Sequence, residues 1–139
     1  MSDDVDQAEQ VDYVVDASAL VLAMTGKTDD ARALRARLPA MRRHAPHLVD
    51  AEVGNVLRRH ARAGLISTAE AEVALRSLRA LVQHRYPHPG PLAELAWRYR
   101  ESLSFYDALY VALAVRLGVP LLSADVRLSN AGHCPVELV

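Results

Sequence analysis

Short apolar runs alternate along this chain with longer stretches of helical periodicity. Tyr13-Val14-Val15 is rich in β-formers, ends at Asp16 and reads as a buried strand. Ser18 can cap the apolar segment 19–24, a short helix closed by Gly26. Thr28, with Asp29 and Asp30 behind it, opens a second helix that Pro39 stops, and a short strand over 42–45 follows. The spacing predicts a long helix over 48–63, with Gly64 beyond its end. Ser67-Thr68-Ala69-Glu70 is a capping box that opens a helix to about Leu81, so the two form a helical hairpin. Residues 82–89 read as a strand, and Pro91 suits the first turn of a helix reaching about Glu101. Ser104 and Gly118 mark the ends of another helix. Residues 120–123 form a second apolar strand leading to an aspartate, Asp125, and 136–139 a last short one. Strands alternating with helices predict an α/β sandwich with a parallel sheet.

Composition narrows the class. The chain has 139 residues, 51% hydrophobic and 24% charged, which fits one compact domain over 12–139 behind an acidic, flexible tail over 1–11. No apolar run approaches a membrane span, and the acidic N-terminus is unlike a signal peptide, so the expected location is the cytoplasm. Cys134 is the only cysteine, which excludes an internal disulfide and leaves a small, half-buried side chain. The six histidines show no repeated metal spacing, so zinc is not expected. The net charge of −1 hides an asymmetry: five acids in the first 12 residues leave 12 acids against 16 bases in the rest, or +4. Eight arginines between Arg32 and Arg62 face only Asp50 and Glu52. Such a cluster reads as a phosphate-meeting surface or equally as a solvated helix face.

Four carboxylates sit where a core wants apolar groups. Asp16 and Asp125 follow apolar strands, and the C-terminal ends of parallel strands form the ligand crevice. Glu52 has Leu48, Val49, Asn55 and Val56 as its helical neighbours, which puts it on the inward stripe. Asp50 faces elsewhere, as an exposed first-turn charge favoured by the helix dipole. Asp107, near a helix start, neighbours Leu103, Ser104, Tyr110 and Val111. Taken singly, Asp16 also reads as a helix cap and Asp107 as a first-turn charge. Together the four need compensation, because unpaired buried carboxylates are costly, and no lysine lies near them in sequence. A divalent cation supplies it, and oxygen-only ligands select Mg²⁺ or Mn²⁺.

These segments resemble the PIN domain and, within it, the VapC toxins. The resemblance rests on Val15-Asp16-Ala17-Ser18-Ala19-Leu20, on Pro46-His47-Leu48-Val49-Asp50-Ala51-Glu52-Val53 with Asn55 and Leu57, on residues 104–114 around Asp107, and on Leu121-Leu122-Ser123-Ala124-Asp125. It implies a PIN-like three-layer α/β/α sandwich with a mainly parallel sheet of four to five short strands. It also implies a Mg²⁺- or Mn²⁺-dependent endoribonuclease. Asp16, Glu52, Asp107 and Asp125 match the metal-holding acids, and Ser18 and Ser123 match hydroxyls supporting the first and last aspartates. Such toxins are usually homodimers, held inactive by a VapB-type antitoxin whose C-terminal segment covers the acidic pocket. Val126 departs from the charged residue often found at that position.

The mechanism expected from this reading orients a scissile phosphate on metal held by the four acids and activates a water for in-line attack. Asp16 and Asp107 are read as direct ligands, Glu52 and Asp125 as holding a second ion or a water. Arg42, Arg43, Arg58 and Arg59 are expected to guide RNA. Two alternatives are a non-catalytic PIN-like module binding RNA or a partner, and another metal-dependent phosphate hydrolase. Ser18 stands where an aspartyl-nucleophile phosphatase would favour a second aspartate. Ser18 as nucleophile lacks the glycine-flanked turn that chemistry uses. Aromatic residues at helical spacing usually fill a core, the reading taken for Phe105, while Tyr106 is open to base stacking.

Overall fold

A computed structural model describes residues 10–139. The expected tail over 1–11 therefore lies outside the described residues, apart from its last two positions. Val11 belongs to the first strand: β1 (Val11–Val15) pairs with β2 (Met41–Pro46) from Val11↔Met41 onward. Between them run α1 (Ala17–Thr25), α2 (Asp29–Arg37) and a 3-10 turn over Leu38–Ala40 that contains Pro39. The hairpin of α3 (Leu48–Arg62) and α4 (Thr68–Leu81) follows, with the Ser67–Glu70 capping box formed in both directions. Then come β3 (His84–Tyr86), α5 (Pro91–Trp97), α6 (Phe105–Leu117), β4 (Leu121–Ser123), α7 (Val126–Ala131) and β5 (Val136–Leu138).

Three local expectations change. The cap of α1 is Asp16, not Ser18: the Asp16 carboxylate accepts from the Ala19 N–H. α5 stops at Trp97, four residues short, because the amides of Arg98, Tyr99 and Arg100 bond three residues back and tighten into turns. α7 has no counterpart in the sequence reading, since six residues with one buried apolar side chain, Leu128, show no periodicity. At the α1–α2 corner a Cβ on Gly26 would fall 2.5 Å from both Leu22 O and Ala31 Cβ, so the close approach there requires glycine.

The five strands are all parallel, in the order β3-β2-β1-β4-β5. The chain winds outward from β1 to β3, then returns to place β4 on the other side of β1. Parallel neighbours need crossover connections, and the reversal of winding at β1 places the helices of the two halves on opposite faces, as a three-layer sandwich. Val14, Val15, Leu121 and Leu122 are buried in its centre. α6 packs against α5 and the sheet, so residues 108–114 are all buried, as an enclosed helix requires. The switch point between β1 and β4 leaves a crevice at their C-terminal ends. Among the described residues no helix is long and apolar enough to cross a membrane.

Candidate functional site

All four sequence-predicted acids reach that crevice. They line one cleft of about 270 Å³, with Asn55, Arg59 and Tyr110 among its other walls. Four separate elements deliver them: the end of β1, the first turns of α3, the first turn of α6 and the loop after β4.

Asp16 is the most enclosed, with 6% exposure. Its N–H donates to Leu122 O at 3.2 Å, which continues the β1–β4 ladder and sets the carboxylate beside Ser123. Ser18 Oγ donates to Oδ1 at 2.6 Å, Ser123 Oγ to Oδ2 at 2.5 Å, and the Ala19 N–H to Oδ1 at 3.0 Å. Burial pushes this carboxyl above its usual pKa, the Asp125 charge adds to the effect, and the three donors oppose it. Each hydroxyl is fixed in turn, since Ser18 Oγ accepts the Ala124 N–H and Ser123 Oγ the Asp125 N–H, both at 2.9 Å. Both serines thus serve the Asp16 carboxylate. The Ser123 hydroxyl thereby touches both the first and the last aspartate, Asp16 at its carboxylate and Asp125 at its backbone amide.

Glu52 is half-buried on α3 and accepts the Tyr110 hydroxyl at 2.6 Å. Burial raises its carboxyl pKa, helped by the charges of Asp107 and Asp16, while the Tyr110 bond opposes. Tyr110 itself is 2% exposed, and burial beside Glu52 drives its hydroxyl pKa far above the ordinary value. The Asp107 amide donates to Ser104 Oγ at 3.1 Å, so the acid sits in the favourable first turn of α6. Asp125 caps α7 by accepting the Arg127 N–H at 2.9 Å. The Arg127 guanidinium also binds it, Nη2 to Oδ2 at 2.6 Å, and holds its carboxyl below the usual pKa. Among the described residues, no three His, Cys, Asp or Glu side chains converge into a group ready to hold a metal ion as they stand. The carboxylates of Asp16, Glu52 and Asp125 are each oriented by a protein donor instead.

The four expected RNA arginines separate. Arg59 lines the cleft. Arg58 is exposed on the same helix and is not part of its wall. Arg42 lies toward the opposite end of the strands, ion-paired with Asp12 at 3.3 Å. Arg43 is 7% exposed, and its guanidinium donates to the carbonyls of Leu38, Met41 and Leu81. Arg43 is a buried brace, and a phosphate contact does not fit it. Phe105 is 40% exposed, contrary to the core role expected, because it opens α6 at the surface. Tyr106 is exposed, and Asp50 is an exposed first-turn acid that also pairs with Arg85 at 2.8 Å. The sequence reading did not give a role to Arg127, nor the Glu52 bond to Tyr110. For Tyr110 a signal existed, its place one turn after Asp107 on an apolar face.

Comparison with known proteins bears on the fold. The PIN domain family model matches residues 13–133. Ribonuclease VapC1 of Mycobacterium tuberculosis is 49% identical over 125 residues, covering 90% of this chain and 94% of its own. A crystal structure of PAE2754 from Pyrobaculum aerophilum superposes with a TM-score of 0.68 at 28% identity, over 91% of this chain and 83% of that one. VapBC2 from Rickettsia felis, bound to a DNA fragment from its promoter, shares the fold with a TM-score of 0.68 at 11% identity, over 93% and 99% of the two chains.

Proposed function

The chain belongs to the PIN-domain family, and from that premise we propose that it is a Mg²⁺- or Mn²⁺-dependent endoribonuclease, the toxin of a VapBC-type toxin–antitoxin module. The observation that carries this reading is the meeting of Asp16, Glu52, Asp107 and Asp125 in one cleft at the sheet's switch point. Its similarity to Ribonuclease VapC1 supports RNA as the substrate.

The donor set fits a hard divalent cation. Its walls offer carboxylate, hydroxyl and amide oxygen, and no thiolate or imidazole. A closed protein cage is not required, since Mg²⁺ commonly takes one or two carboxylates and completes its shell with waters and substrate phosphates. When bound, the cation supplies positive charge for the phosphodiester and lowers the pKa of an attacking water. Hydrolysis itself requires water to add to phosphorus and give up a proton, while the bond to the leaving ribose oxygen breaks and that oxygen takes a proton. The chain's residues prepare this step. Asp16 and Asp107 would hold the cation, Ser18 and Ser123 keep Asp16 in one orientation, and Tyr110 keeps Glu52 turned into the cleft. Arg59 presents its guanidinium to a phosphate at the wall.

Tyr110→Phe keeps the buried ring but removes the donor to Glu52. It is expected to lower RNA cleavage about 10–100-fold, the usual cost of losing a group that orients a ligand, while the protein still melts cooperatively. Cleavage within twofold of the parent, at matched Mn²⁺, shows that Glu52 needs no such support.

The same reading assigns a VapB-type antitoxin as partner and a second copy of the chain as homodimer mate. The shared fold with VapBC2 supports the first. The decisive experiment incubates the purified, partner-free chain with a mixed RNA pool in Mg²⁺, in Mn²⁺ and in EDTA. Cleavage in metal alone is the expected result. A folded protein that binds no Mn²⁺ and cuts no RNA points to a binding module.

A further inference from the structure

Asp125 differs from Asp16 and Glu52 in the kind of partner it has. Asp16 is held by two hydroxyls and an amide, and Glu52 by a phenol. These neutral donors leave lone pairs free for a cation, because an ionised carboxylate offers about four acceptor sites. Asp125 is held by a cation. Arg127 Nε donates to Oδ1 at 3.2 Å and Nη2 to Oδ2 at 2.6 Å, so both oxygens are engaged from one side. The same Nη2 lies 3.9 Å from Asp107 Oδ2 and so faces two of the four acids. The Arg127 side chain is 80% exposed, so it can swing out into solvent. Its backbone N–H, and not its guanidinium, supplies the cap bond of α7.

We propose that Arg127 is the cleft's built-in counter-cation: it neutralises Asp125 and faces Asp107 until a divalent ion enters, competes with that ion for both carboxylates, and is released when the ion binds. The inference rests on the metal-dependent reading above and deepens it, by naming the group the ion must displace. The two cations repel each other at the distances of this cleft, so they cannot both sit between Asp107 and Asp125 at full strength. The guanidinium also stabilises the acids while no ion is present.

Calorimetric titration of Mn²⁺ into the full-length chain tests this, using the parent, Arg127→Ala and Arg127→Lys. Alanine keeps the backbone cap of α7 and removes only the competitor. Arg127→Ala is expected to bind Mn²⁺ about three- to fivefold tighter at low ionic strength, the range of an exposed ion pair. The gain shrinks as salt screens the pair. Arg127→Lys, which keeps the charge, stays near the parent. If Arg127 instead braced Asp125 for the metal, Arg127→Ala would bind Mn²⁺ more weakly, and that result overturns the inference. So does an unchanged affinity. A parent and an Arg127→Ala protein that are both folded and both fail to bind Mn²⁺ overturn the metal reading itself, and this inference with it.

Discussion

Asp16→Asn is expected to fold as well as the parent and to lose more than about a hundredfold of its metal-dependent RNA cleavage, beyond the range for a group that merely orients a ligand. The two outcomes separate because Asp16 has two jobs. As the cap of α1 it accepts the Ala19 N–H, and asparagine is an equally good cap. The new amide nitrogen meets Ser123 Oγ, a hydroxyl that rotates to accept as readily as it donates. Removing the charge also relieves the fold, since burial already disfavours the ionised form. The melting temperature should therefore hold or rise. As a ligand the side chain loses an anionic oxygen facing the cleft, and nothing nearby replaces it. Cleavage within a few-fold of the parent, from a protein of unchanged melting temperature, would remove Asp16 from the metal site.

Arg43→Ala is expected to do the reverse: destabilise the fold by about 3–5 kcal/mol, the order expected when several buried carbonyls lose their donor together, and leave the RNA affinity of the folded fraction unchanged. Arg43 closes the seam where β2 meets the 3-10 turn and the end of α4. Its guanidinium serves the carbonyls of Leu38, Met41 and Leu81. Leu81 is the last residue of α4, where the helix dipole is negative, so carbonyl dipoles balance the charge without an acid. Truncation leaves three acceptors under-satisfied, at about 1–3 kcal/mol for each that is fully buried, and opens a void. A chain of this size should then melt at least about 10 °C lower, which a thermal scan reads directly. An Arg43→Ala protein with parental melting and weakened RNA binding would restore the arginine to the nucleic-acid surface.

The sequence was most legible where one residue does one local job. Thr28, Ser67 with Glu70, Ser104 and Gly118 end their helices as read, because caps are settled within a single turn. The four acids were legible for a related reason: a carboxylate on an apolar stripe or after a buried strand has nowhere to go but the crevice. Reading failed where two residues could do the same job, or where a partner comes from far along the chain. Asp16 and Ser18 are both good caps, and β4 decided between them by bringing Ser123 to the Asp16 carboxylate from 107 residues away. Arg42 and Arg43 look alike in the sequence. On β2 they alternate faces, so one pairs with Asp12 at the surface and the other turns inward to carbonyls.

By itself the sequence determined the succession of strands and helices apart from α7, the parallel α/β class and the four acids that meet in the cleft, because periodicity, caps and misplaced charges are properties of neighbours along the chain. The tertiary structure alone decided which groups hold those acids. Ser123 reached Asp16, Tyr110 reached Glu52, and the Arg127 guanidinium turned back to Asp125 and toward Asp107, while Arg43 was withdrawn into the interior. The physical reason is that most of these pairings join residues distant in sequence, across the β1–β4 switch point or from one helix to another, and their energies depend on register and burial that no local pattern records.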